Sequence, residues 1–176
     1  MMRAGIWLCW LFTGVALAAP SVGWSRQESA CPAGEVDRSA VVHIRGEVER
    51  PLDLTEQDLA RLPRQRIGVE DRDGSVVEYE GVRLADILVQ AGVSMESLRS
   101  PQAAAVVVAE ARDGYRAVFA LAELDEAFSD RLAVLVDRKD GDALSPDEGP
   151  YRVIMRGARR HSRWIRQVAC LRVMRP

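Results

Sequence analysis

The sequence has few of the residues that most often carry enzyme chemistry. It contains two histidines and three cysteines in 176 residues. Neither His43 nor His161 has cysteine or carboxylate neighbours at the spacing of a metal site. No serine lies in a nucleophile elbow, and internal repeats and low-complexity segments are missing. These absences disfavour a zinc enzyme, a serine hydrolase and a repeat protein.

The sequence also lacks an apolar run of the roughly 20 residues that a membrane span needs. Its one apolar stretch near the N-terminus follows Arg3 and ends in small residues before Pro20, which is the layout of a secretory signal peptide. We therefore predict export with cleavage near Ala19, so that residues 1–19 are a signal peptide and residues 20–39 a polar N-terminal extension. A retained N-terminal anchor is the alternative.

Acidic residues are absent from residues 149–176, which carry eight arginines. Residues 20–148 hold 15 basic and 26 acidic groups, a net charge of −11, so an acidic body precedes a basic end. Guanidinium groups pair with oxyanions and stack on flat rings, which suits a planar or anionic ligand. The alternative is that these arginines form a solvated edge or pair with carboxylates of the body.

Apolar residues alternate with arginines in two parts of this basic end. Residues 151–156 and 167–173 both follow the pattern of a half-buried strand. In the first, Arg152, Ile154 and Arg156 fall on the polar side. Two packed strands fix the ends of the loop between them, and this favours a binding site over a free tail.

Two cysteines remain after the predicted cleavage, Cys31 and Cys170. Export takes them to an oxidising compartment, where an even number of cysteines indicates a disulfide. The pair predicts a bridge from the N-terminal extension to the last strand. Two unpaired cysteines are the alternative.

Short predicted helices are scattered among more numerous predicted strands. Thr55 and Asp58 have the spacing of a capping box, and Asp73-Gly74 is a hairpin turn. The pattern predicts helices at residues 55–62, 84–91 and 121–128, a hairpin at 66–79, and strands at 41–44, 103–109 (buried on both faces), 115–119 and 131–136. This mixture predicts one α+β domain over residues 40–176 with a mixed or barrel-like sheet.

Four segments occur in an order that points to a known family. They are YEGVRLADILVQAG (79–92), RDGYRAVFALAELD (112–125), DGDALSPDEGPYRVIM (140–155) and RRHSRWIRQV (159–168). Together they resemble the molybdopterin-binding domain of the sulfite oxidase superfamily in its small exported form. The resemblance implies an α+β fold with mixed, barrel-like sheets and short helices around a pterin cleft.

The chain departs from that family in a respect that concerns its chemistry. Catalytic members hold molybdenum through a cysteine thiolate placed between the first helix and the GV-x-L segment. Residues 63–79 span this interval and contain no cysteine. The resemblance therefore implies a periplasmic, non-catalytic member that binds a tetrahydropterin-type ligand without molybdenum and works with a membrane-bound cyclic di-GMP enzyme. The alternatives are a molybdopterin-dependent oxidoreductase with an unusual metal ligand and an interaction domain with an empty cleft.

A pterin needs a stacking surface, acceptors for its N3–H and 2-amino edge, and donors for its C4 carbonyl and N5. Trp164 is the predicted stacking residue, with an ordinary core tryptophan as the alternative. Arg163, Arg160 and Arg159 are the predicted donors, and their alternative is pairing with the acidic body.

The predicted acceptor of the pterin's donor edge is a carboxylate. The resemblance places the turn that carries Asp113 and Tyr115 at the cleft, and Asp137 directly follows a predicted strand. An Asp-Gly pair is also an ordinary turn dipeptide, so Asp113 has a purely structural alternative.

Overall fold

The computed structural model describes residue 31 and residues 41–70, 74–95, 104–158 and 163–175. The predicted signal peptide, the rest of the predicted N-terminal extension, Arg159, Arg160 and His161 lie outside these residues. Within the described ranges, none of the helices has the length and apolar composition to cross a membrane.

The strands of the described residues form two sheets, and the first has five strands and mixed pairing. Its spatial order is β2 (Leu52–Thr55), β1 (Val41–Gly46), β10 (Val168–Met174), β5 (Val106–Ala111) and β6 (Arg116–Ala120). Strands β1 and β10 are parallel, and the other neighbours are antiparallel. The last strand of the chain therefore lies at the centre of this sheet, and β6 forms one of its edges.

The second sheet is antiparallel. It contains β3 (Arg64–Glu70), β4 (Val76–Arg83), β7 (Leu132–Lys139) and β8 (Asp142–Ala143), and β9 (Arg152–Arg156) also pairs with β7. Neither sheet closes on itself in the described residues. The predicted α+β class with mixed sheets is confirmed, and the sheets are open.

Short helices connect the strands, among them α1 (Glu56–Ala60), α2 (Leu84–Gln90) and a 3₁₀ helix (Leu121–Leu124). Helix α1 confirms the predicted capping box. The Asp58 N–H donates to Thr55 Oγ1 at 3.3 Å, and the Thr55 N–H donates to Asp58 Oδ2 at 3.1 Å. Two otherwise unsatisfied donors at the start of the helix are thus paired.

The prediction of a helix over residues 121–128 is wrong beyond Leu124. Asp125 has extended backbone angles of −92° and 126°, and its carboxylate accepts a hydrogen bond from the Ala127 N–H at 2.9 Å. A short polar side chain that bonds its own backbone competes with helix formation. The chain therefore turns after one helical turn.

One hydrophobic core takes side chains from both sheets and from α2. Helix α2 packs on β4 and β7. Ile154 on the neighbouring β9 is fully buried, against its predicted place on a polar side. Strand β5 shows the opposite difference. Val107 and Ala109 are buried and Val106 and Val108 are partly exposed, so the prediction that both faces are buried is wrong.

A disulfide joins Cys31 to Cys170 on β10, with 5.9 Å between their Cα atoms. It ties the chain before β1 to the central strand of the first sheet across 139 residues. A cross-link over so long a loop restricts the unfolded chain and so favours the folded state.

Candidate ligand site

Residues 163–167 run along the β5–β6 hairpin. At one end, Arg163 Nη2 donates to the Val118 carbonyl at 2.8 Å. At the other end, the Arg112 N–H donates to the Gln167 carbonyl at 3.0 Å. These two hydrogen bonds hold both ends of the segment against one hairpin, as a loop between packed strands requires.

The turn of the same hairpin carries Asp113 and Tyr115. The Asp113 carboxylate accepts a hydrogen bond from the Tyr115 N–H at 2.9 Å, which is the local bond that a structural turn aspartate makes. The Tyr115 side chain is about half exposed. Four predicted ligand residues, Asp113, Tyr115, Arg163 and Trp164, thus lie on two segments in direct contact.

Arg163 is held by a carboxylate of the acidic body, which is the alternative weighed from the sequence. Its Nη1 donates to Glu123 Oε2 at 3.1 Å, and its Nη2 also pairs with Glu123 Oε1. The guanidinium carbon lies 4.7 Å from the centre of the Phe119 ring. We call Arg163, Glu123 and the Val118 carbonyl the Arg163 clamp.

Glu123 receives more than one donor. The Ala120 N–H donates to its Oε1 at 2.8 Å, and Arg131 Nη1 lies 3.4 Å from its Oε2. Burial opposes ionisation of this carboxyl, but the hydrogen bonds from Arg163 and Ala120 and the nearby positive charges outweigh it and lower its pKa. The clamp therefore depends on an ionised Glu123.

Trp164 lies in the core, with 8% of its surface exposed. Its Nε1–H donates to the Met155 carbonyl at 3.2 Å, and its ring meets Tyr79 edge to face at a centroid distance of 6.5 Å. The indole therefore fixes the segment 163–167 to β9. Its role as a stacking surface for a pterin stays a prediction.

Arg152 lies beside both of these aromatic rings, 5.7 Å from the centre of Tyr79 and 5.5 Å from that of Trp164. It donates to the Tyr79 hydroxyl at 3.3 Å and pairs with the Glu148 carboxylate. Its buried Nε has no hydrogen-bond partner in the described part of the chain. We call Tyr79, Arg152, Trp164 and Glu148 the aromatic–arginine cluster.

The aromatic–arginine cluster adjoins the segment 163–167 at Gln167. The Gln167 N–H donates to the Glu148 carbonyl at 2.9 Å, and its Nε2 donates to the Pro146 carbonyl at 3.0 Å. The cluster, the segment and the hairpin therefore form one contiguous region.

Asp137 belongs to a different network. Both of its carboxylate oxygens accept from Arg64, at 2.9 and 2.6 Å, and Arg64 Nε also donates to Glu80 at 3.0 Å. Nearby, burial together with the charges of Glu56 and Asp137 raises the pKa of Tyr151 to about 12, so its phenol stays neutral. The hydrogen bonds of the Asp137 carboxylate thus go to Arg64 on β3 and not to the β5–β6 hairpin.

Four residues of this region are not among the predicted site residues: Tyr79, Arg152, Glu123 and Glu148. Tyr79 and Arg152 each fit a strand pattern in the sequence. Nothing in these patterns indicates that the two residues, 73 positions apart, are in contact. Glu123 pairs with Arg163 across 40 positions. The acidic body and the basic end of the sequence indicate that ion pairs form between them, but they do not identify which glutamate pairs with which arginine.

A surface depression of about 260 Å³ lies beside the clamp, at the ends of β7 and β9. None of the predicted ligand residues lines it. Its walls are formed by Glu126, Ser129, Asp130, Arg131, Leu132 and Arg156. In the described ranges, no group of three or more His, Cys, Asp or Glu side chains is placed to hold a metal ion.

Residues 31–175 match the protein family described as the oxidoreductase molybdopterin binding domain. No curated protein sequence matches the chain. Among solved structures, that of the sulfane dehydrogenase SoxCD from Paracoccus pantotrophus is similar, with a TM-score of 0.59 and 24% sequence identity. The similarity covers 79% of this chain and 39% of the SoxCD chain, and at this identity it shows the fold alone. Since the family match spans most of its length, the chain is a member of the molybdopterin-binding domain family of the sulfite oxidase superfamily.

Proposed function

We propose that this chain is a non-catalytic, periplasmic pterin-binding protein that senses a reduced, tetrahydropterin-type ligand. The observation that carries the proposal is the state of its cysteines. Cys31 and Cys170, the two cysteines beyond the predicted signal peptide, are bonded to each other, and residues 63–79 contain none. A sulfur in a disulfide is not a thiolate, and a soft metal on a pterin dithiolene takes a thiolate ligand. The domain family is described as molybdopterin binding. Residues 63–79 of this member lack the cysteine that the resemblance leads us to expect there.

The donors and acceptors of the region fit a pterin ring better than they fit the metal. Guanidinium groups suit the ring carbonyl and an anionic side chain, and a carboxylate suits the N3–H and 2-amino edge. Asp113 lies on an exposed turn, and Tyr115 next to it presents a half-exposed aromatic ring. No protein ligand of the soft type that molybdenum prefers is present at the expected interval, so we assign no redox step.

In the proposed complex, Arg163 donates to the ring carbonyl and Asp113 accepts from the amino edge. Arg163 has 29% of its side chain exposed, so it is accessible from solvent while it pairs with Glu123. The ligand must therefore compete with Glu123 and Val118 for the same guanidinium. Arg152 is more deeply enclosed, with 13% of its side chain exposed, and acts as a fixed cation behind the site.

The predicted donors Arg159 and Arg160 precede Arg163 in the chain and supply additional positive charge in the proposal. Trp164 and Tyr115 are the two aromatic candidates for stacking. Tyr115 is about half exposed and Trp164 is buried, so stacking on Trp164 requires the segment 163–167 to move away from β9. Tyr115→Ala is thus expected to weaken ligand binding while leaving the fold intact.

The proposal extends to a membrane-bound cyclic di-GMP enzyme that responds to ligand occupancy. It is supported by the predicted export and by the resemblance to small exported members of the family. A strain that lacks the chain should show an altered cyclic di-GMP level. The wild-type chain should restore that level, and the Arg163→Ala variant should not. If Arg163→Ala restored the cyclic di-GMP level as well as the wild type, signalling would not depend on the ligand site.

The first test is native mass spectrometry with metal analysis on protein exported in a host that makes molybdopterin. We expect a bound pterin and no molybdenum in the wild type and in Arg156→Ala, and loss of the pterin in Arg163→Ala. One molybdenum per chain would overturn the proposal in favour of an oxidoreductase with an unusual ligand.

If the exported protein is empty, titration with tetrahydrobiopterin decides. Ligand at a hundred times its Kd should stabilise the fold by about 2.7 kcal/mol, and Tm should rise accordingly. An unchanged Tm at millimolar ligand would indicate an interaction domain with an empty cleft.

A further inference from the structure

The edge strand of the first sheet, β6, presents backbone groups that face away from β5. In an antiparallel pair, alternate residues point their N–H and C=O groups away from the partner strand. The Val118 carbonyl and the Ala120 N–H are such outward groups, because they bond to side chains outside the sheet. An open edge of this kind is a template for another strand.

The Arg163 clamp occupies these outward groups. Arg163 Nη2 donates to the Val118 carbonyl at 2.8 Å, and Glu123 Oε1 accepts from the Ala120 N–H at 2.8 Å. Because Arg163 and Glu123 also pair with each other, one ion pair covers two consecutive outward groups of the strand. A charged pair at this place blocks strand addition as long as it is formed.

The outer face of β6 suits pairing with a copy of itself. Val118 is 54% exposed, and Arg116 and Ala120 flank it on the same face. Antiparallel pairing about a two-fold axis at Val118 sets Val118 against Val118 of the second copy and Arg116 against Ala120. The apolar side chains then meet, and no like charges face each other. Parallel pairing in register would instead place Arg116 beside Arg116.

We propose that the Arg163 clamp gates the β6 edge, and that opening the clamp lets β6 pair antiparallel with β6 of a second copy of this chain. A ligand that draws Arg163 away from Val118 and Glu123 opens the gate, and this link rests on the proposed function. Ligand occupancy is thereby converted into a change of oligomeric state, which a partner can read.

The test is sedimentation velocity of the full, disulfide-bonded chain at concentrations up to the order of 100 µM, since a single short strand pair gives weak association. Wild type and the matched control Arg156→Ala should sediment as monomers. Arg163→Ala should form a concentration-dependent dimer. Adding Val118→Lys to Arg163→Ala should restore the monomer, because like charges then face each other across the axis.

A monomeric Arg163→Ala variant with wild-type circular dichroism would overturn the proposal, as would a dimer that Val118→Lys leaves intact. If Arg163→Ala does not fold, Glu123→Gln opens the same clamp, and its oligomeric state decides in the same way.

The ligand link is tested on wild type with tetrahydrobiopterin, by calorimetry and sedimentation together. Binding without dimerisation would overturn the link and leave the proposed function standing. Absence of binding would count against the proposed function, while the variants still decide the gate.

Discussion

The aromatic–arginine cluster and the Arg163 clamp use the same chemistry in two different settings. Each holds one guanidinium against one glutamate and beside aromatic carbon. Arg152 is enclosed between Tyr79 and Trp164 with 13% of its side chain exposed, whereas Arg163 lies at a sheet edge with 29% exposed. The glutamates are covered to a similar extent, with 22% of Glu148 and 18% of Glu123 exposed, so the two pairs differ in the access of solvent to the arginine.

The difference in the exposure of the two arginines shows how an Arg–Glu pair can serve either as a stable support or as an exchangeable contact. A buried ion pair is costly to break, because the remaining partner stays in a low-dielectric environment. A pair near solvent is cheap to break, because water replaces the lost partner. The aromatic–arginine cluster therefore acts as a scaffold, and the Arg163 clamp has the low exchange cost that a ligand-responsive contact needs.

The largest expected effect comes from Arg152→Ala. It leaves the Glu148 carboxylate without its cation and removes a side chain that packs on two rings. We expect a loss of about 3 kcal/mol in the free energy of unfolding, measured by urea denaturation. The matched control is Arg66→Ala, whose side chain is 70% exposed and pairs with Glu80 at 3.1 Å, and it should change stability by less than about 0.5 kcal/mol. Equal losses in both variants would show that the enclosure of Arg152 does not determine its contribution to stability.

A smaller effect is expected from Trp164→Phe, which joins the two regions because Trp164 follows Arg163 directly. The substitution removes the Nε1–H that donates to the Met155 carbonyl and leaves a small void. We expect a loss of about 2 kcal/mol, from one lost hydrogen bond and incomplete packing, while the Met155 carbonyl keeps the Ala158 N–H at 3.4 Å. Phe128→Leu, at a half-exposed aromatic, is the control and should be near neutral. A neutral Trp164→Phe would show that the indole is not what fixes this segment.

The clamp itself is expected to contribute less. A double-mutant cycle with Arg163→Gln and Glu123→Gln should give a coupling energy of about 0.5–1 kcal/mol, because the partly exposed pair is screened by solvent. The corresponding cycle with Arg152→Gln and Glu148→Gln should give a clearly larger coupling. If the clamp gave the larger coupling, it would be a structural element and a poor candidate for exchange with a ligand.

The features that were predicted correctly are set by short stretches of sequence. The capping box at Thr55 needs only Asp58 three positions later, and α2 needs only its own apolar face. The pairing of Cys31 with Cys170 in the structure is the one long-range contact expected beforehand, because two cysteines allow a single bridge. Neighbouring residues were sufficient to predict the capping box and α2, and the number of cysteines was sufficient to predict the disulfide.

The features that were missed depend on contacts between distant residues. Alternation placed Ile154 on a polar side, but the consecutive residues Val153, Ile154 and Met155 are all buried, so both faces of β9 are covered there. The tail arginines had many carboxylates to choose from, and only the fold selects Glu123 for Arg163 and Glu148 for Arg152. The sequence therefore brings out the segment around Arg163 and Trp164, whose role in ligand binding stays a prediction, and it does not identify the ion pairs of that segment.

The smallest effect concerns pH and separates the ion pair from the rest of the clamp. Burial raises the pKa of Glu123, but the hydrogen bond from Arg163 and the other donors outweigh this effect. The pKa therefore lies below its ordinary value of 4.5. A carboxyl with a lowered pKa in the folded state contributes stability that is complete above pH 4.5 and is lost as the pH falls below that value. The advantage of wild type over Glu123→Gln in urea denaturation should thus be constant near neutral pH and shrink on acidification. In the Arg163→Gln background the same comparison should show a weaker pH dependence, since the hydrogen bond that most favours the carboxylate is gone.

An unchanged pH dependence would mean that Ala120 and Arg131 hold the carboxylate without Arg163. The guanidinium would then be free to leave for a ligand without protonation of Glu123, and the clamp would open at neutral pH by competition alone.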